Sequence, residues 1–128
     1  MNNLIWIILS LAVVAFLVFK QLNQVRPDAA RDWLSKGAKV IDVRSEGEFQ
    51  DKHLPGAVNI PLDRLRDEVS RLAPNKEKPV LLYCLSGTRS GRGKAMLRKM
   101  GYRNAFNLGS YGRAEKLLQA QPAAKPKG

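Results

Sequence analysis

The sequence has little cysteine, histidine or acid. Its 128 residues include one cysteine and one histidine, which excludes an internal disulfide, a zinc site with two or more thiolates, and a histidine-rich metal centre. The 11 Asp and Glu residues face 22 Lys and Arg, and the formal net charge is +11. That balance favours anionic partners, whether nucleic acid, anionic lipid or small anions.

Charge is absent from residues 4–19, LIWIILSLAVVAFLVF, sixteen residues in which only Ser10 is polar. As a helix this run spans roughly 24 Å, and its flanks, up to position 22, extend it towards the roughly 30 Å of a hydrocarbon core. A cleaved signal peptide is the alternative. Such peptides begin with basic residues and end at a small-x-small site, whereas this chain starts MNN and reads VFKQ at residues 18–21. We therefore predict an uncleaved membrane anchor.

Basic residues lie on one side of this run only. Lys20, Arg26 and Arg31 follow it, and no Lys or Arg precedes it. The positive-inside rule therefore predicts that the C-terminal part of the chain stays in the cytoplasm. A lone unpaired thiol also fits a reducing compartment. We expect a single-pass protein, of a bacterial inner membrane, with its folded domain facing the cytoplasm.

Beyond the anchor and tether, residues 1–24, the pattern alternates between strand and helix. Short apolar runs predict strands at residues 40–43, 58–60, 80–84 and 105–108, and the tether at 21–25 could hold one brief edge strand. Amphipathic spacing predicts helices at 27–36, 62–72, 90–100 and 111–119. We therefore expect one α/β domain over residues 25–121, with a central, mainly parallel sheet. Residues 122–128, PAAKPKG, read as a disordered basic tail.

The strongest strand pattern, VLLY, runs directly into Cys84 and the loop LSGTR. Ligand sites of open parallel sheets lie beyond the carboxyl ends of strands, and the N-terminus of a following helix lowers the pKa of a nearby thiol. A small buried hydrophobe is the structural alternative for a lone cysteine. The Ser, Gly, Thr and Arg residues of this loop, however, are residue types that seldom fill a hydrophobic core. We therefore predict an ionised Cys84, ringed by backbone amides and not enclosed in the interior.

No Asp or Glu occurs between Cys84 and Ala114, while the same stretch holds seven basic residues: Arg89, Arg92, Lys94, Arg98, Lys99, Arg103 and Arg113. Two interpretations stay open. The residues form either a solvated helix face or an electropositive approach for an anionic substrate or the membrane surface. Nucleic acid is disfavoured, because the stretch carries no known nucleic-acid-binding motif.

Three motifs, in this order and spacing, resemble a single-domain rhodanese, a sulfurtransferase: DVR at residues 42–44, HLPGAVNIP at 53–61 and YCLSGTRS at 83–90. GY at 101–102 and NLG at 107–109 also match, so the resemblance covers residues 25–119. It implies the rhodanese fold, a three-layer α/β sandwich around a five-stranded sheet, here preceded by one transmembrane helix.

The resemblance also implies a mechanism. Cys84 would accept a sulfane sulfur and hold it as a persulfide, and the cradle for that sulfur and any oxyanion would be the amides of Leu85, Ser86, Gly87, Thr88 and Arg89. The donor would be thiosulfate or a persulfide, and the acceptor cyanide or a thiol. No metal or organic cofactor is expected. Another membrane protein or a sulfur-relay protein is a further candidate partner.

We also assign predicted roles to other residues near the motifs. Asp42, at the carboxyl end of a strand, either borders the substrate pocket or is a structural carboxylate bonded to loop amides or an arginine. Ser45 with Glu48 three residues later predicts a capping box that starts a short helix. Arg44 and Glu48 are four residues apart around this helix start, and we expect them to pair. His53 is expected to order its turn by hydrogen bonding rather than to transfer protons.

Two other functions compete with sulfur transfer. A cysteine phosphatase or arsenate reductase of related fold needs Cys-x5-Arg, whereas Cys84 and Arg89 are spaced as Cys-x4-Arg, one residue too short. A non-catalytic binding module would keep the fold and hold partners at the membrane. For such a module Cys84→Ser leaves partner binding unchanged, whereas for the enzyme it abolishes sulfur transfer.

Overall fold

Residues 2–119 are described by a computed structural model of the chain. Its helices are α1 Asn2–Asn23, α2 Pro27–Ser35, α3 Glu46–Asp51, α4 Leu62–Leu72, α5 Thr88–Lys99 and α6 Tyr111–Gln119. Its strands are β1 Lys39–Asp42, β2 Val58–Asn59, β3 Val80–Tyr83 and β4 Ala105–Gly109. The tail predicted for residues 122–128 lies outside the described residues.

The strands form one sheet in the order β2-β1-β3-β4, and every neighbouring pair is parallel. Strand β3 is buried along its whole length, which explains why its sequence is continuously apolar. All strands run in the same direction, so their carboxyl ends share one edge of the sheet. Cys84 follows β3 at this edge, where a site was expected.

Helices cover both faces of the sheet, so the predicted three-layer α/β architecture is confirmed. One face packs on α4 and α5, and its buried residues include Ile41, Val80, Leu82, Leu65, Val69 and Leu97. The other face packs on α2 and α6, and its buried residues include Val40, Leu81, Tyr83, Ala30, Ala114 and Leu117. Alternate residues of β1 and β3 point to opposite layers, as the pleat of a strand requires.

The expectation of five strands is wrong, because the described residues form four. Helix α1 continues to Asn23 and takes up most of the segment that could have held an edge strand. What is left is one backbone bond beside β4, from the amide of Val25 to the carbonyl of Asn107 at 2.8 Å. The Arg113 guanidinium donates to the carbonyl of Val25, so a side chain holds the tether where a ladder of backbone bonds was expected.

Helix α1 is long and apolar enough to cross a membrane, and none of its residues is buried against the domain. Its side chains from Leu4 to Phe19 are exposed. A signal sequence near an N-terminus has the same length and composition. The helix is therefore apolar on all sides, and among residues 2–119 it has no packing partner for most of its length.

We expect Leu65→Ala to lower the free energy of unfolding by about 2–5 kcal/mol, because it removes a fully buried side chain and leaves a cavity. The matched control is Leu85→Ala, the same change at a position that is 60% exposed, with an expected effect within about 0.5 kcal/mol. Urea unfolding of the full chain in detergent micelles, followed by circular dichroism, measures both. Equal effects of the two changes would contradict the described core.

Candidate active site

The sulfur of Cys84 lies among hydrogen-bond donors of the segment that follows it, residues 85–90, which we call the cysteine loop. Sγ accepts from the amide of Gly87 at 3.0 Å and from the amide of Ser90 at 3.3 Å. The Ser90 hydroxyl lies 3.4 Å from Sγ. The amide of Cys84 itself donates to the carbonyl of Gly109 at 3.3 Å. The backbone of the cysteine is thus fixed to β4 while its side chain faces the loop.

The loop curls tightly because of a glycine at its turning point. Gly87 has a φ of 93°, in the left-handed region that residues with a Cβ adopt at a cost. A Cβ there would also lie 3.3 Å from the backbone of Gly109. Helix α5 begins at the next residue, Thr88, so the free amides of its first turn open towards the sulfur.

A buried amide side chain holds this loop from the neighbouring strand. Asn107, on β4, is 1% exposed, and its Nδ2 donates to the carbonyl of Gly87 at 3.1 Å. Its Oδ1 accepts from the amide of Gly109 at 2.8 Å and from the hydroxyl of Ser90 at 2.7 Å. Each polar atom of the side chain therefore has a partner, as a buried amide requires.

Ser90 stands between two acceptors, the sulfur of Cys84 and Oδ1 of Asn107. A hydroxyl has one hydrogen, so it donates to one acceptor at a time. In the thiol state the hydroxyl can donate to Asn107 and accept from the S–H. In the thiolate state its hydrogen can turn to the sulfur. The Ser90 hydroxyl can therefore donate to Asn107 when Cys84 is a thiol and to the sulfur when Cys84 is a thiolate.

The predicted low pKa of the Cys84 thiol agrees with these contacts. Burial raises the pKa, but the Ser90 hydroxyl and the amides of Ser90, Gly87 and Ser86 together lower it further, so the net pKa lies below its ordinary value. The expectation that the thiol is not enclosed is wrong, because the residue is 0% exposed. It differs from an ordinary core cysteine in facing polar donors on the loop side.

The amides that contact Sγ itself belong to Gly87 and Ser90, with Ser86 contributing to the lowered pKa. The cradle expected for a transferred sulfur or an oxyanion, formed by the amides of Leu85, Ser86, Gly87, Thr88 and Arg89, stays a prediction. Within residues 2–119, no hydrogen bond links Sγ to the amides of Leu85, Thr88 or Arg89. The Leu85, Ser86 and Thr88 side chains are exposed and form the outer rim of the loop.

Two site residues, Ser90 and Asn107, were missed as functional positions. The signal for Asn107 was present, because an asparagine in the middle of the buried strand AFNLG must have internal partners. The signal for Ser90 was the start of a helix: its amide lies in the first turn, where donors have no partner within the helix.

Arg89 pairs with Glu48, from α3, at 2.7 and 3.0 Å. This pair, then hydrogen bonds from Ser45, lower the pKa of Glu48 to about 2. Ser45 and Glu48 form the predicted capping box of α3. The expected pairing of Glu48 with Arg44 is wrong, because the partner of Glu48 comes from the cysteine loop. The contact fixes the guanidinium of Arg89 to another element.

Asp42 is not available to a ligand. It is fully buried, and Nε and Nη2 of Arg44 donate to its carboxylate at 2.7–3.0 Å. The amide of Arg44 adds a bond at 2.9 Å. The substrate-binding role suggested for Asp42 thus gives way to its alternative, a structural carboxylate. Its pair with Arg44 shapes the turn after β1, and Arg44 also donates to the carbonyl of Lys52 at 2.6 Å.

His53 has the structural role that was expected of it. Its Nδ1 lies 2.8 Å from the carbonyl of Phe49, and its ring stacks on the Phe49 ring at 3.7 Å between centroids. These contacts hold the turn that follows α3.

The comparisons with known proteins agree with the motifs. Residues 26–112 match the family model described as a rhodanese-like domain. The thiosulfate sulfurtransferase PspE of Escherichia coli (strain K12) is 39% identical over 69 residues, which are 54% of this chain and 66% of PspE. The chain thus spans slightly less than two thirds of that relative. YqhL of Bacillus subtilis (strain 168), an uncharacterized protein, is 35% identical over 114 residues, which are 84% of this chain and 88% of YqhL.

A solved structure of a rhodanese with anions from E. coli superposes on this chain with a TM-score of 0.60. The two are 34% identical, and the match covers 67% of this chain and 95% of the other.

We expect Ser90→Ala to raise the pKa of Cys84, because it removes a hydroxyl donor from a buried thiolate. Alkylation of Cys84 at neutral pH should become roughly tenfold slower, as for the loss of one hydrogen bond to a charge. The matched control is Ser86→Ala, whose hydroxyl bonds Thr88 and not the sulfur. The measurement is the pH dependence of the alkylation rate. Superimposable profiles for Ser90→Ala and the parent would contradict the assignment.

Proposed function

The chain belongs to the rhodanese-like domain family, and we propose that it is a sulfurtransferase that carries sulfane sulfur as a persulfide on Cys84. The observation that supports this best is the set of donors around Sγ. The Gly87 amide and the Ser90 amide and hydroxyl lie within 3.4 Å of that atom. They favour a negative charge on sulfur, and a thiolate is the nucleophile that the reaction needs.

The proposed reaction consists of two nucleophilic displacements. The Cys84 thiolate attacks the outer sulfur of thiosulfate, the S–S bond of the donor breaks, and its electron pair leaves with sulfite. A Cys84 persulfide anion remains. An acceptor, cyanide or a thiolate, then attacks the outer sulfur of the persulfide, and the electron pair of that S–S bond returns to Cys84. No outside oxidant or reductant is consumed, and the same donors stabilise both anions.

Access to the sulfur requires the loop to open. Cys84 has no exposed surface, while Leu85 and Ser86 of the covering loop are exposed. We expect this segment of the loop to move when a substrate reaches Sγ. Tyr111 donates its amide to the carbonyl of Leu85 at 3.2 Å, so this bond is one that opening would strain.

The donor is thiosulfate or a persulfide, and the site has features suited to each. The basic stretch from Arg89 to Arg113 attracts a dianion. Leu85 instead places a large apolar side chain, 60% exposed, directly beside Cys84. That contact suits a protein-borne persulfide or thiol, including one on a sulfur-relay protein, better than a small anion.

The two competing functions have less support. A cysteine phosphatase needs its loop arginine to bind the oxyanion, but the guanidinium of Arg89 donates to both oxygens of Glu48. A non-catalytic binding module needs no depressed thiol pKa, yet the pKa of Cys84 is lowered. Both functions are outcomes of the experiment that follows.

We expect the full chain, incubated with thiosulfate, to gain the mass of one sulfur atom, and reductant to remove it. Cys84→Ser should abolish the gain, because the attacking thiolate is lost. Ser86→Ala, which leaves the sulfur contacts intact, should retain it. Intact mass spectrometry measures all three. No gain with either thiosulfate or a low-molecular-weight persulfide would overturn the proposal, and hydrolysis of phosphate esters without a sulfur donor would favour the phosphatase.

We further propose that residues 1–24 anchor residues 25–121 to a membrane, with the domain in the cytoplasm. The support is an apolar α1 that is exposed along its length and the basic residues that follow it, beginning with Lys20. Phe19 is 67% exposed, which in water would be costly but in lipid is favourable. We expect the membrane that α1 spans to be a bacterial inner membrane.

Labelling of single cysteines in a Cys84→Ser background measures on which side of the membrane the domain lies. Lys99→Cys, exposed on α5, should react with a membrane-impermeant thiol reagent only after cells are lysed. Asn3→Cys, at the other end of α1, is the matched control and should react in intact cells. Labelling of Lys99→Cys in intact cells would contradict the orientation. A mature chain that lacks α1 would show that the helix is a cleaved signal sequence.

A further inference from the structure

The last turns of α1 and the first turns of α5 border a cleft of about 330 Å³ beside the Cys84 loop. Phe16, Phe19 and Lys20 line it from α1, and Arg92 and Ala95 line it from α5. Gly87 and Thr88 of the cysteine loop and Asn107 of β4 also line it. The cleft therefore connects the end of the apolar helix with the candidate active site.

Specific contacts hold α1 at this position. Nζ of Lys94 donates to the carbonyl of Asn23 at 3.1 Å and to its Oδ1 at 3.3 Å. Gly91 lies within α5 without a positive φ, so its backbone does not require glycine, and glycine is an unfavourable residue inside a helix. A Cβ at this position would lie 2.5 Å from Nδ2 of Asn23. Gly91 thus admits the end of α1 against α5.

The lining of the cleft combines apolar and cationic side chains. Phe16, Phe19 and Ala95 supply the apolar surface, and Lys20 and Arg92 supply positive charge. Among residues 2–119, none that lines the cleft is acidic. An occupant that matches this surface has an apolar chain and an anionic group, because each part then meets its complement.

The membrane itself offers such a molecule at this depth. The apolar run of α1 ends at Phe19, and Lys20 is its first charged residue. If α1 spans the bilayer, Phe16 and Phe19 lie at the level of the acyl chains. Lys20 then lies at the level of the phosphates, where basic side chains extend towards anionic headgroups.

We propose that this cleft binds an anionic phospholipid of the cytoplasmic leaflet. The phosphate of the lipid would lie between Lys20 and Arg92, and an acyl chain would lie along Phe16 and Phe19. The proposal rests on the membrane anchoring proposed above. It does not depend on the sulfur chemistry. A bound lipid would also contact Gly87 and Thr88, which line the same cleft, so the cysteine loop would lie directly at the membrane surface.

The test uses the full chain in neutral detergent and native mass spectrometry with added phosphatidylglycerol or phosphatidylcholine of identical acyl chains. We expect one phosphatidylglycerol to be retained in preference to phosphatidylcholine. Lys20→Gln with Arg92→Gln should weaken its retention by about tenfold or more, because both phosphate ligands are lost. The matched control, Arg71→Gln with Lys78→Gln, removes the same charge from exposed positions on other elements and should leave retention unchanged.

Ala95→Trp is the second variant, since it fills the cleft from an exposed helix position and keeps both cations. It should also weaken retention. Equal retention of the two lipids, equal loss in the control variant, or displacement by millimolar inorganic phosphate would each overturn the proposal. The last result would identify a site for soluble anions.

Two measurements on the same preparation separate this proposal from the others. Sulfur loading of Cys84 without a preference between lipids would overturn the lipid site alone. A preference for phosphatidylglycerol without sulfur loading would overturn the sulfurtransferase alone. Recovery of the full chain in the soluble fraction of cells would overturn the anchor and, with it, the lipid site.

Discussion

A buried sulfur that must carry charge is the constraint on which the rest of the site depends. Removal from water disfavours the thiolate of Cys84, and the loop opposes this with donors from Gly87 and Ser90. No cationic side chain takes part in these sulfur contacts. A site built from backbone amides keeps the anion stable without neutralising it, so the sulfur stays nucleophilic while it is held. The left-handed turn at Gly87 and the start of α5 at Thr88 are both means of directing amides inward.

The same constraint explains why a polar residue occupies the interior of β4. Asn107 costs the core an apolar side chain, but it bonds the carbonyl of Gly87 and the hydroxyl of Ser90. Its own carbonyl accepts the amide of Val25. One residue therefore ties the tether, the edge strand and the cysteine loop together. A loop with these bonds keeps its amides in place as the charge on sulfur changes, which would lower the reorganisation that each step of the proposed sulfur transfer requires.

Features fixed by neighbours in the chain were predictable, and features fixed by distant neighbours were not. The strand before Cys84, the parallel sheet and the capping box at Ser45 follow from local patterns, and the structure contains all of them. Glu48 was assigned to a partner four residues away, whereas its true partner, Arg89, is 41 residues distant. Spacing along the chain carries no information on such a contact. The prediction of a fifth strand failed for a different reason, because helix α1 continues to Asn23 and takes up most of the segment that could have formed it.

Glycine positions show that the tether and the cysteine loop belong to one packed unit. A Cβ at Gly109 would lie 2.9 Å from Nε2 of Gln24, and one at Gly87 would lie 3.3 Å from the same atom. Together with Gly91, whose Cβ would lie 2.5 Å from Asn23, three glycines around the candidate active site face Asn23 at the end of α1 and Gln24 just after it. The close atoms are ends of side chains, so the attachment depends on bonds to the main chain: the amide of Val25 bonds the carbonyl of Asn107, and Lys94 bonds the carbonyl of Asn23. The end of α1 therefore forms part of the wall around the candidate active site. Any change in the direction of α1 relative to the domain has to be accommodated by the same residues that position the donors of the sulfur.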